Sequence, residues 1–302
     1  MTRVVCVGDV MVDVLAQLPG ALAIGSDTPA PITLLGGGSA ANTAAWLSTA
    51  GVATTFVGRV GDDPLGRMAL DELARAGIDL AVTVDPVRPT GTCIVLVDSS
   101  GERTMVPAAG ANSGLGDEQL PSGLLVDGTH LHVSAYALFN PGARPAVDQL
   151  VDEARRLGLT ISVDAASSAP LVDFGADAFR AWLADLGTGA TLFANRDEAE
   201  VLAGASAPAE DLARAIGSRQ IAAIVKCGSE GAVWSDGDRV VRAATEPMTA
   251  VDSTGAGDAF AAGVLAATLT GAPVQSALAA GNKLASTAIT RAGARPQFDR
   301  LS

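Results

Sequence analysis

Short apolar runs alternate with helix-like segments along most of the chain, and this alternation restricts the possible folds more than any other feature. Residues 3–8 form a nearly continuous β-branched run, typical of a strand buried on both faces of a parallel sheet. Residues 40–50 show a helical pattern, and Asp63 and Pro64 supply the N-cap and first position of another helix. Further strand patterns cover 160–164, 190–195 and 220–226. The sequence therefore predicts an α/β fold with a doubly wound, mostly parallel sheet flanked by helices.

Two segments break this alternation. Residues 12–18 alternate in polarity, and residues 90–107 have the pattern of two strands that turn at 99–101, yet no crossover helix follows either segment. We expect a small antiparallel β-sheet, built from about residues 12–35 and 82–110, that projects as a lid from a single domain spanning 1–302. A sheet with an apolar face stays exposed unless it covers a ligand or a second subunit, so a homodimer through the lid is also expected.

The charge balance excludes one class of partner. The chain has 20 basic and 33 acidic residues, a net charge of −13, and no Lys/Arg cluster. Such a surface repels a phosphate backbone, so no nucleic-acid partner is expected. Uncharged stretches at 28–58 and 259–282 contain glycine and proline residues that disfavour a membrane span, and no export signal is visible. We therefore expect a cytoplasmic protein without a membrane partner.

The sequence lacks the residues that two common kinds of binding site require. The only lysines, Lys226 and Lys283, do not follow glycine, so the phosphate-binding loop that ends in Gly-Lys-Ser/Thr is absent. The only histidines, His130 and His132, lie two apart in an apolar run without a nearby carboxylate or thiol, which favours packing over metal ligation.

The clearest chemical pattern lies in residues 251–260, just before a helical segment. Gly255 and Gly257 at a helix start leave backbone N–H groups exposed, and these donors together with the helix dipole favour an anion such as a transferring phosphoryl group. Asp258 in the first turn would complement the dipole by itself. That explanation leaves Asp252, six residues earlier, without a purpose. The two acids together indicate a general base for an acceptor hydroxyl, and a second acid for an ion or for loop geometry.

A second glycine cluster, Gly36 to Asn42, has two interpretations. It matches the Gly-x-Gly-x-x-Ala form of the dinucleotide fingerprint, with Asp62 and Asp63 about 20 residues further on, which would indicate an NAD(P)-dependent oxidoreductase. That fingerprint usually closes the first strand of its domain, whereas here the strand at 3–8 comes earlier. The alternative is a close backbone approach to a small polar ligand, with Asn42 as donor and acceptor.

These clusters, taken in order, resemble the ribokinase-like (PfkB) carbohydrate kinases. The two signatures of that family are matched by Gly37, Gly38 and Asn42 and by the segment 252–258. Three further segments match in the right order: Gly61-Asp62-Asp63-x-x-Gly66, Ala109-Gly110-Ala111-Asn112 and Asn195-x-x-Glu198. The resemblance covers nearly the whole chain. It implies a ribokinase-like α/β fold with a β-sheet lid, and ATP-dependent phosphorylation of a sugar-like hydroxymethyl group.

The resemblance also implies the catalytic residues. Asp258 matches the catalytic base, and Gly255, Ala256 and Gly257 match the anion hole for the developing charge. Phosphoryl transfer depends largely on positioning and electrostatics, which suits these residues.

The acceptor site follows from the same resemblance. Asp13, Gly37, Gly38 and Asn42 match positions that hold the acceptor's hydroxyls. Tyr136 and Phe139 are the aromatic residues expected near the pocket. Strand alternation places Asp13 opposite the apolar side of its strand, which also agrees with a solvated lid residue.

The nucleotide site is implied at four positions, Asn195, Lys226, Gly228 and Asn282. Asn195 and Glu198 match the motif associated with Mg²⁺, held through ordered water. A helix cap with a first-turn acid explains that pair equally well, and Lys226 also fits a surface lysine at a strand end.

The resemblance also implies a monovalent cation such as K⁺ at Asp252 and the backbone at 291–293.

Composition favours one class of acceptor. The early glycine cluster contains no basic residue, and a buried, unpaired phosphate is costly, so a non-phosphorylated acceptor is favoured. Only 4% of residues are aromatic, and a nucleoside base needs stacking partners, so a free sugar is preferred over a nucleoside. A nucleoside kinase, an NAD(P)-dependent oxidoreductase and a non-catalytic sensor on the same fold stay as alternatives.

Overall fold

A computed structural model describes residues 3–98 and 102–297, and its secondary structure follows the alternation in the sequence. The strands are β1 (Arg3–Val7), β2 (Met11–Gln17), β3 (Ile32–Gly37), β4 (Ala53–Gly61), β5 (Asp79–Asp85), β6 (Thr92–Val97), β7 (Arg103–Ala108), β8 (Thr129–Ser134), β9 (Thr160–Asp164), β10 (Ala190–Asn195), β11 (Ile221–Lys226), β12 (Ala232–Ser235) and β13 (Val240–Ala243). The helices are α1 (Ser39–Thr49), α2 (Pro64–Arg75), α3 (Ala135–Phe139), α4 (Arg144–Arg156), α5 (Ser168–Phe174), α6 (Ala176–Ala184), α7 (Arg196–Ala203), α8 (Ala209–Ile216), α9 (Ala256–Thr268) and α10 (Val274–Ala288).

The main sheet has nine strands in the order β13-β12-β11-β10-β9-β8-β1-β4-β5. Its strands are parallel from β11 to β5, and β12 and β13 add an antiparallel edge. Val5 and Val7 of β1 belong to an apolar core with α4 and α7, whereas Val4 and Cys6 belong to another with α1 and α9. Since alternate strand residues point to opposite faces, helices cover both faces, and the predicted doubly wound α/β fold is confirmed.

Helix α2 begins where its local sequence predicts. The Asp63 side chain accepts a hydrogen bond from the Gly66 N–H at 2.8 Å, and Pro64 occupies the first helical position. The N-cap satisfies one of the amides that a helix start leaves without an internal partner.

A second, small sheet contains β3, β2, β6 and β7 in that order. It differs from the expected lid in two respects. Strands β2 and β6 run parallel, so the sheet is mixed and not antiparallel throughout. Strand β5 pairs with β4, so residues 82–85 belong to the main sheet. The predicted turn at 99–101 lies outside the described residues.

The polar strand ends gather at one edge of the main sheet. Asp9 follows β1, Asp164 ends β9, Asn195 ends β10 and Lys226 ends β11, and the register places Asn195 beside Lys226. Ligands of open α/β sheets bind beyond the carboxyl ends of the strands, so this edge is where a site is expected.

The histidines lie inside the main sheet. His130 and His132 in β8 each form a 2.8 Å hydrogen bond with the Ser162 hydroxyl of β9. Across residues 3–98 and 102–297, no cluster of three or more His, Cys, Asp or Glu side chains could hold a metal ion. Within the same ranges, no helix combines the length and apolar character needed to cross a membrane.

Candidate active site

Helix α9 begins at the late glycine segment. Gly255 precedes it with φ of +74°, where a side chain is strained, and a Cβ there would lie 2.3 Å from the Ala294 carbonyl oxygen. The Ala256 N–H donates to the Ser253 carbonyl oxygen at 3.2 Å. The Gly257 N–H lies in the first turn, where an amide has no acceptor within its own helix. Of the three predicted anion-hole residues, Gly255 shapes the turn and Gly257 presents the donor.

Asp258, in the same turn, is held by two residues of α1. Its Oδ1 accepts from the Ser39 hydroxyl and its Oδ2 from the Asn42 amide, each at 2.9 Å. Burial and then the nearby Asp164 carboxylate raise the pKa of Asp258 to about 7, against the opposing effect of these hydrogen bonds. A carboxyl group with a pKa near neutrality is well matched to general-base catalysis. The two glycine-rich segments therefore meet at the predicted base.

The orientation of Asn42 is set by a buried arginine. Arg295 Nε donates to Asn42 Oδ1 at 3.1 Å, and because guanidinium is only a donor, the Asn42 amide nitrogen must point towards Asp258. Arg295 also donates to the Gly37 carbonyl oxygen at 2.5 Å and pairs with Glu72 at 3.3 Å. No pattern in the sequence indicated Arg295, which lies 253 residues from Asn42.

Asp13 lies beside this group on β2. Its carboxylate occupies space that a side chain on Gly37 would take, since a Cβ there would lie 2.5 Å from Asp13 Oδ1. Asp13 is only 8% exposed, so it is not a solvated residue. Burial raises the pKa of Asp13 to about 6, although Arg295 lowers it.

Gly38 and Asp9 fix the start of α1. Gly38 has φ of +94°, and a Cβ there would lie 2.6 Å from the Asp9 carbonyl oxygen. The Asp9 carboxylate accepts from the Ser39 N–H at 2.9 Å and from the Ser134 hydroxyl at 3.0 Å. Sequence reasoning missed Asp9 and Ser39, although an acid directly after the first buried strand was a usable signal.

A cavity of about 270 Å³ lies next to the N-terminus of α9. Its lining includes Gly257 and three of the four predicted nucleotide-binding residues, Lys226, Gly228 and Asn282. Asn282 donates to the carbonyl oxygens of residues 243 and 244 at 3.1 and 3.2 Å, which anchors α10 against β13. The cavity thus connects these residues to the turn that presents backbone amides.

Lys226 lies beneath that turn. Its ammonium nitrogen is 2.7 Å from Asp164 Oδ2, and a Cβ on Gly257 would lie 3.1 Å from it. Burial lowers the pKa of Lys226, but the carboxylates of Asp164 and Glu198 outweigh burial and raise it. Lys226 is therefore a charged group that is only 15% exposed, and not a surface lysine.

Asn195 and Glu198 form a capping box at the start of α7. The Asn195 side chain accepts from the Glu198 N–H at 2.8 Å, and the Glu198 carboxylate accepts from the Asn195 backbone and side-chain nitrogens at 2.7 Å. The fourth predicted nucleotide-binding residue therefore serves as a helix cap, at the strand edge that carries Lys226.

Asp252 is paired with a residue of the small sheet. Its Oδ1 accepts from the Thr254 N–H at 2.7 Å, and its Oδ2 accepts from the Gly293 N–H at 2.9 Å. Arg103 of β7 forms an ion pair with Oδ1 and donates to the Thr254 hydroxyl. Burial raises the pKa of Asp252, but the Gly293 and Thr254 hydrogen bonds outweigh burial and lower it. Sequence reasoning missed Arg103.

Tyr136 lies in α3 with 39% of its surface exposed. Burial and then the Asp9 carboxylate, with a further contribution from Asp258, raise its pKa to about 12. Phe139, also expected near the pocket, instead packs against Phe174 and Phe179 with ring centroids 5.1 and 5.4 Å apart.

The early glycine cluster does not have the setting of a dinucleotide site. Gly36 and Gly37 end β3 in the small sheet, whereas the first strand of the main sheet is β1. The dinucleotide fingerprint requires its glycines between a strand of the main parallel sheet and a helix. This placement does not support the oxidoreductase alternative.

The site combines a helix N-terminus that suits an anion, a carboxyl base and an adjoining cavity, and it lies on a doubly wound α/β sheet. This combination is that of a group-transfer enzyme that acts on phosphate. The family model of pfkB family carbohydrate kinases matches residues 1–300. The chain belongs to this family, and the resemblance inferred from the motifs is confirmed.

Relatives differ in the acceptors for which they are named. An ATP-dependent ribose-1-phosphate kinase from Halopiger xanaduensis is 34% identical over 307 residues, covering 98% of this chain and 94% of the relative. The structure of an adenosine kinase from Sinorhizobium meliloti has a TM-score of 0.86 and 25% identity, covering 98% of this chain and 96% of that chain. A fructokinase double mutant from Vibrio cholerae O395, in a form with fructose, ADP and potassium ion bound, has a TM-score of 0.80 and 26% identity over 97% and 94% of the two chains. The protein is an ATP-dependent kinase of the carbohydrate or nucleoside type.

Proposed function

We propose that this kinase transfers the γ-phosphate of ATP to a hydroxymethyl group of a non-phosphorylated sugar, with Asp258 as the general base. The observation that carries the proposal is the position of Asp258, whose carboxyl group lies in the first turn of α9 and is held by Ser39 and Asn42. Its hydrogen bond with Asn42 joins one proposed acceptor residue to the turn that presents backbone amides.

The chemistry follows from these positions. Asp258 accepts the proton of the acceptor hydroxyl, whose oxygen forms a bond to the γ-phosphorus while the bond from that phosphorus to the bridging oxygen of ADP breaks. Negative charge on the phosphoryl oxygens is stabilised by the Gly257 amide and by Lys226 beneath the turn. A positioned base contributes about 10²–10⁴-fold to the rate.

Asn195 and Glu198 fit a magnesium ion held through water. Each carboxylate oxygen of Glu198 accepts one hydrogen bond from Asn195, which leaves it lone pairs for water. Mg²⁺ keeps several waters and binds mainly through substrate phosphates, so it needs few protein ligands. When bound with ATP, Mg²⁺ neutralises charge on the β- and γ-phosphates.

The acceptor pocket supports an uncharged polyol. Asp13 and Asn42 supply a carboxylate and an amide, which suit hydroxyl groups, whereas a carboxylate repels a phosphate. The buried guanidinium of Arg295 already bonds with Asn42, Gly37 and Glu72. It therefore serves to orient Asn42 and is not available to hold an acceptor phosphate.

A phosphorylated acceptor is the second candidate. Arg103 lies on the same face of the small sheet as Asp13, and among residues 3–98 and 102–297 its buried Nε has no hydrogen-bond partner. Both terminal nitrogens of Arg103 bond with Asp252 and Thr254, so only its Nε is left to recognise a phosphate. The Halopiger relative is named for ribose-1-phosphate.

A coupled assay of ATP consumption tests both candidates. The acceptors tested are ribose, fructose, related ketoses and sugar acids, ribose-1-phosphate and adenosine. Each is assayed with the wild type, with Asp258→Asn and with Asp71→Asn, which changes an exposed carboxylate on α2 and is the matched control. We expect a free sugar to give the highest kcat/KM, and Asp258→Asn to lose about 10²–10⁴-fold in kcat while ATP binding persists. Full activity of Asp258→Asn would remove the proposed base. Preference for ribose-1-phosphate or adenosine would replace the proposed acceptor.

A further inference from the structure

The carboxylate of Asp252 is buried and surrounded by hydrogen-bond donors. The Thr254 and Gly293 amides each donate to one of its oxygens, and the Arg103 guanidinium supplies a full positive charge to Oδ1. A carboxylate that is 4% exposed needs such compensation, because an unpaired buried charge is strongly destabilising.

Arg103 reaches Asp252 from the other sheet. It begins β7, and the register of β7 with β6 and β2 places it on the same face as Asp13. One terminal nitrogen contacts the Asp252 carboxylate and the other contacts the Thr254 hydroxyl. The fork of a guanidinium therefore joins the small sheet to the loop that leads directly into Gly255 and α9.

These surroundings do not fit a monovalent cation at Asp252. Such an ion requires oxygen ligands, and the Arg103 guanidinium already forms an ion pair with Asp252 Oδ1. The Gly293 amide, in the backbone at 291–293, also donates to this carboxylate. A second cation close to the Arg103 guanidinium would also face like-charge repulsion.

We propose that Arg103 is a built-in counter-ion that takes the place of a diffusible monovalent cation at Asp252 and ties the small sheet to the anion-hole turn. The proposal rests on the kinase function given above. It makes two statements about this chain: K⁺ is not needed for activity or for the geometry of the turn, and Arg103 is a positioning residue for the Gly255 turn.

The wild-type protein gives the first test. Its Tm and kcat/KM are measured in about 100 mM KCl and in tetramethylammonium chloride at the same ionic strength, so that general screening is equal. We expect no K⁺-specific rise in Tm and a change in kcat/KM of less than about twofold, well below the tenfold that 1.4 kcal/mol represents. A K⁺-specific rise in Tm, or strong activation by K⁺, would overturn the proposal. The Tm comparison needs no turnover, so it separates this proposal from failure of the proposed acceptor chemistry.

Variants give the second test. Arg103→Met keeps a long side chain but removes its charge, and we expect kcat to fall by at least about tenfold. We also expect K⁺ to raise the Tm of this variant and to restore part of its kcat. Arg103→Lys keeps the charge, and we expect it to stay insensitive to K⁺. The control is Arg239→Met, which removes an exposed ion pair with Asp236 in the β12–β13 hairpin. Full activity of Arg103→Met without K⁺ would contradict the proposal. If Arg103→Met does not fold, the wild-type Tm comparison and Arg103→Lys decide.

Discussion

At the scale of single residues, the fold raises the pKa of Asp258 into the range that suits a general base. Burial and the Asp164 carboxylate raise its pKa from 3.8 to about 7. A general base must be ionised, so we expect kcat/KM to fall about tenfold for each pH unit below about 7 and to be level above it. The measurement is a pH profile with saturating ATP. A profile that stays level down to pH 5 would contradict the assignment. The pKa of Asp13 is about 6, so Asp13→Asn distinguishes the two carboxyl groups. This variant should weaken acceptor binding but keep the break near pH 7 in kcat/KM.

The same shift has a consequence for stability that does not require activity. A carboxyl group with a raised pKa favours folding while protonated, and this contribution is lost as the pH rises through the folded-state pKa of about 7. Asp258→Asn cannot ionise. We therefore expect its Tm relative to the wild type to be higher at pH 8 than at pH 5. Asp71→Asn, at an exposed position of α2, controls for the change of residue type. A Tm difference for Asp258→Asn that is equal at both pH values would argue against the raised pKa of Asp258.

At the scale of secondary-structure elements, the turn before α9 depends on Gly255. Alanine there adds the cost of left-handed backbone, about 1–2 kcal/mol, and a contact of 2.3 Å with the Ala294 carbonyl oxygen. Gly271, just after the same helix, has φ of +82° but open space around its Cβ position, so Gly271→Ala adds the backbone cost alone. We expect urea unfolding to show Gly255→Ala as the less stable variant, and only Gly255→Ala to lose kcat. Equal losses in both variants would mean that the close packing at Gly255 has no role.

The sequence was informative where the physical cause is local. Asp63 and Pro64 predicted the start of α2, and the glycines at 255 and 257 predicted a helix N-terminus beside Asp258, because caps and turns depend on neighbouring residues. The assignment of strands to sheets was less accurate. An alternating run such as 82–85 does not reveal its partner strand, so these residues of β5 were predicted in the wrong sheet. Arg295 and Arg103 could not be found at all, since each acts on a residue more than 100 positions away.

At the scale of the whole molecule, the small sheet presents apolar surface on the face turned away from Asp13. The register places Leu34, Val14, Ile94 and Val106 in one row across its four strands, and three of these are 46–54% exposed. A four-stranded sheet with an apolar outer face is unusual for a monomer. Its inner face carries Asp13, which is proposed to bind the acceptor, so the outer face is where a second copy would bind.

We therefore predict a homodimer formed through the small sheet. Ile94→Glu places a charge in the middle of the apolar row and should give a monomer, because an unpaired charge buried in an interface is costly. The control is Val126→Glu, which adds the same charge at a position that is 53% exposed in the loop before β8. Sedimentation equilibrium at about 10 μM, where a standard-sized interface is occupied, should give a dimer for the wild type and the control. A monomeric wild type, or a dimer that is unchanged in Ile94→Glu, would contradict a dimer formed through this apolar face. Because Arg103 on the opposite face contacts the anion-hole turn, the monomeric variant should also show a lower kcat.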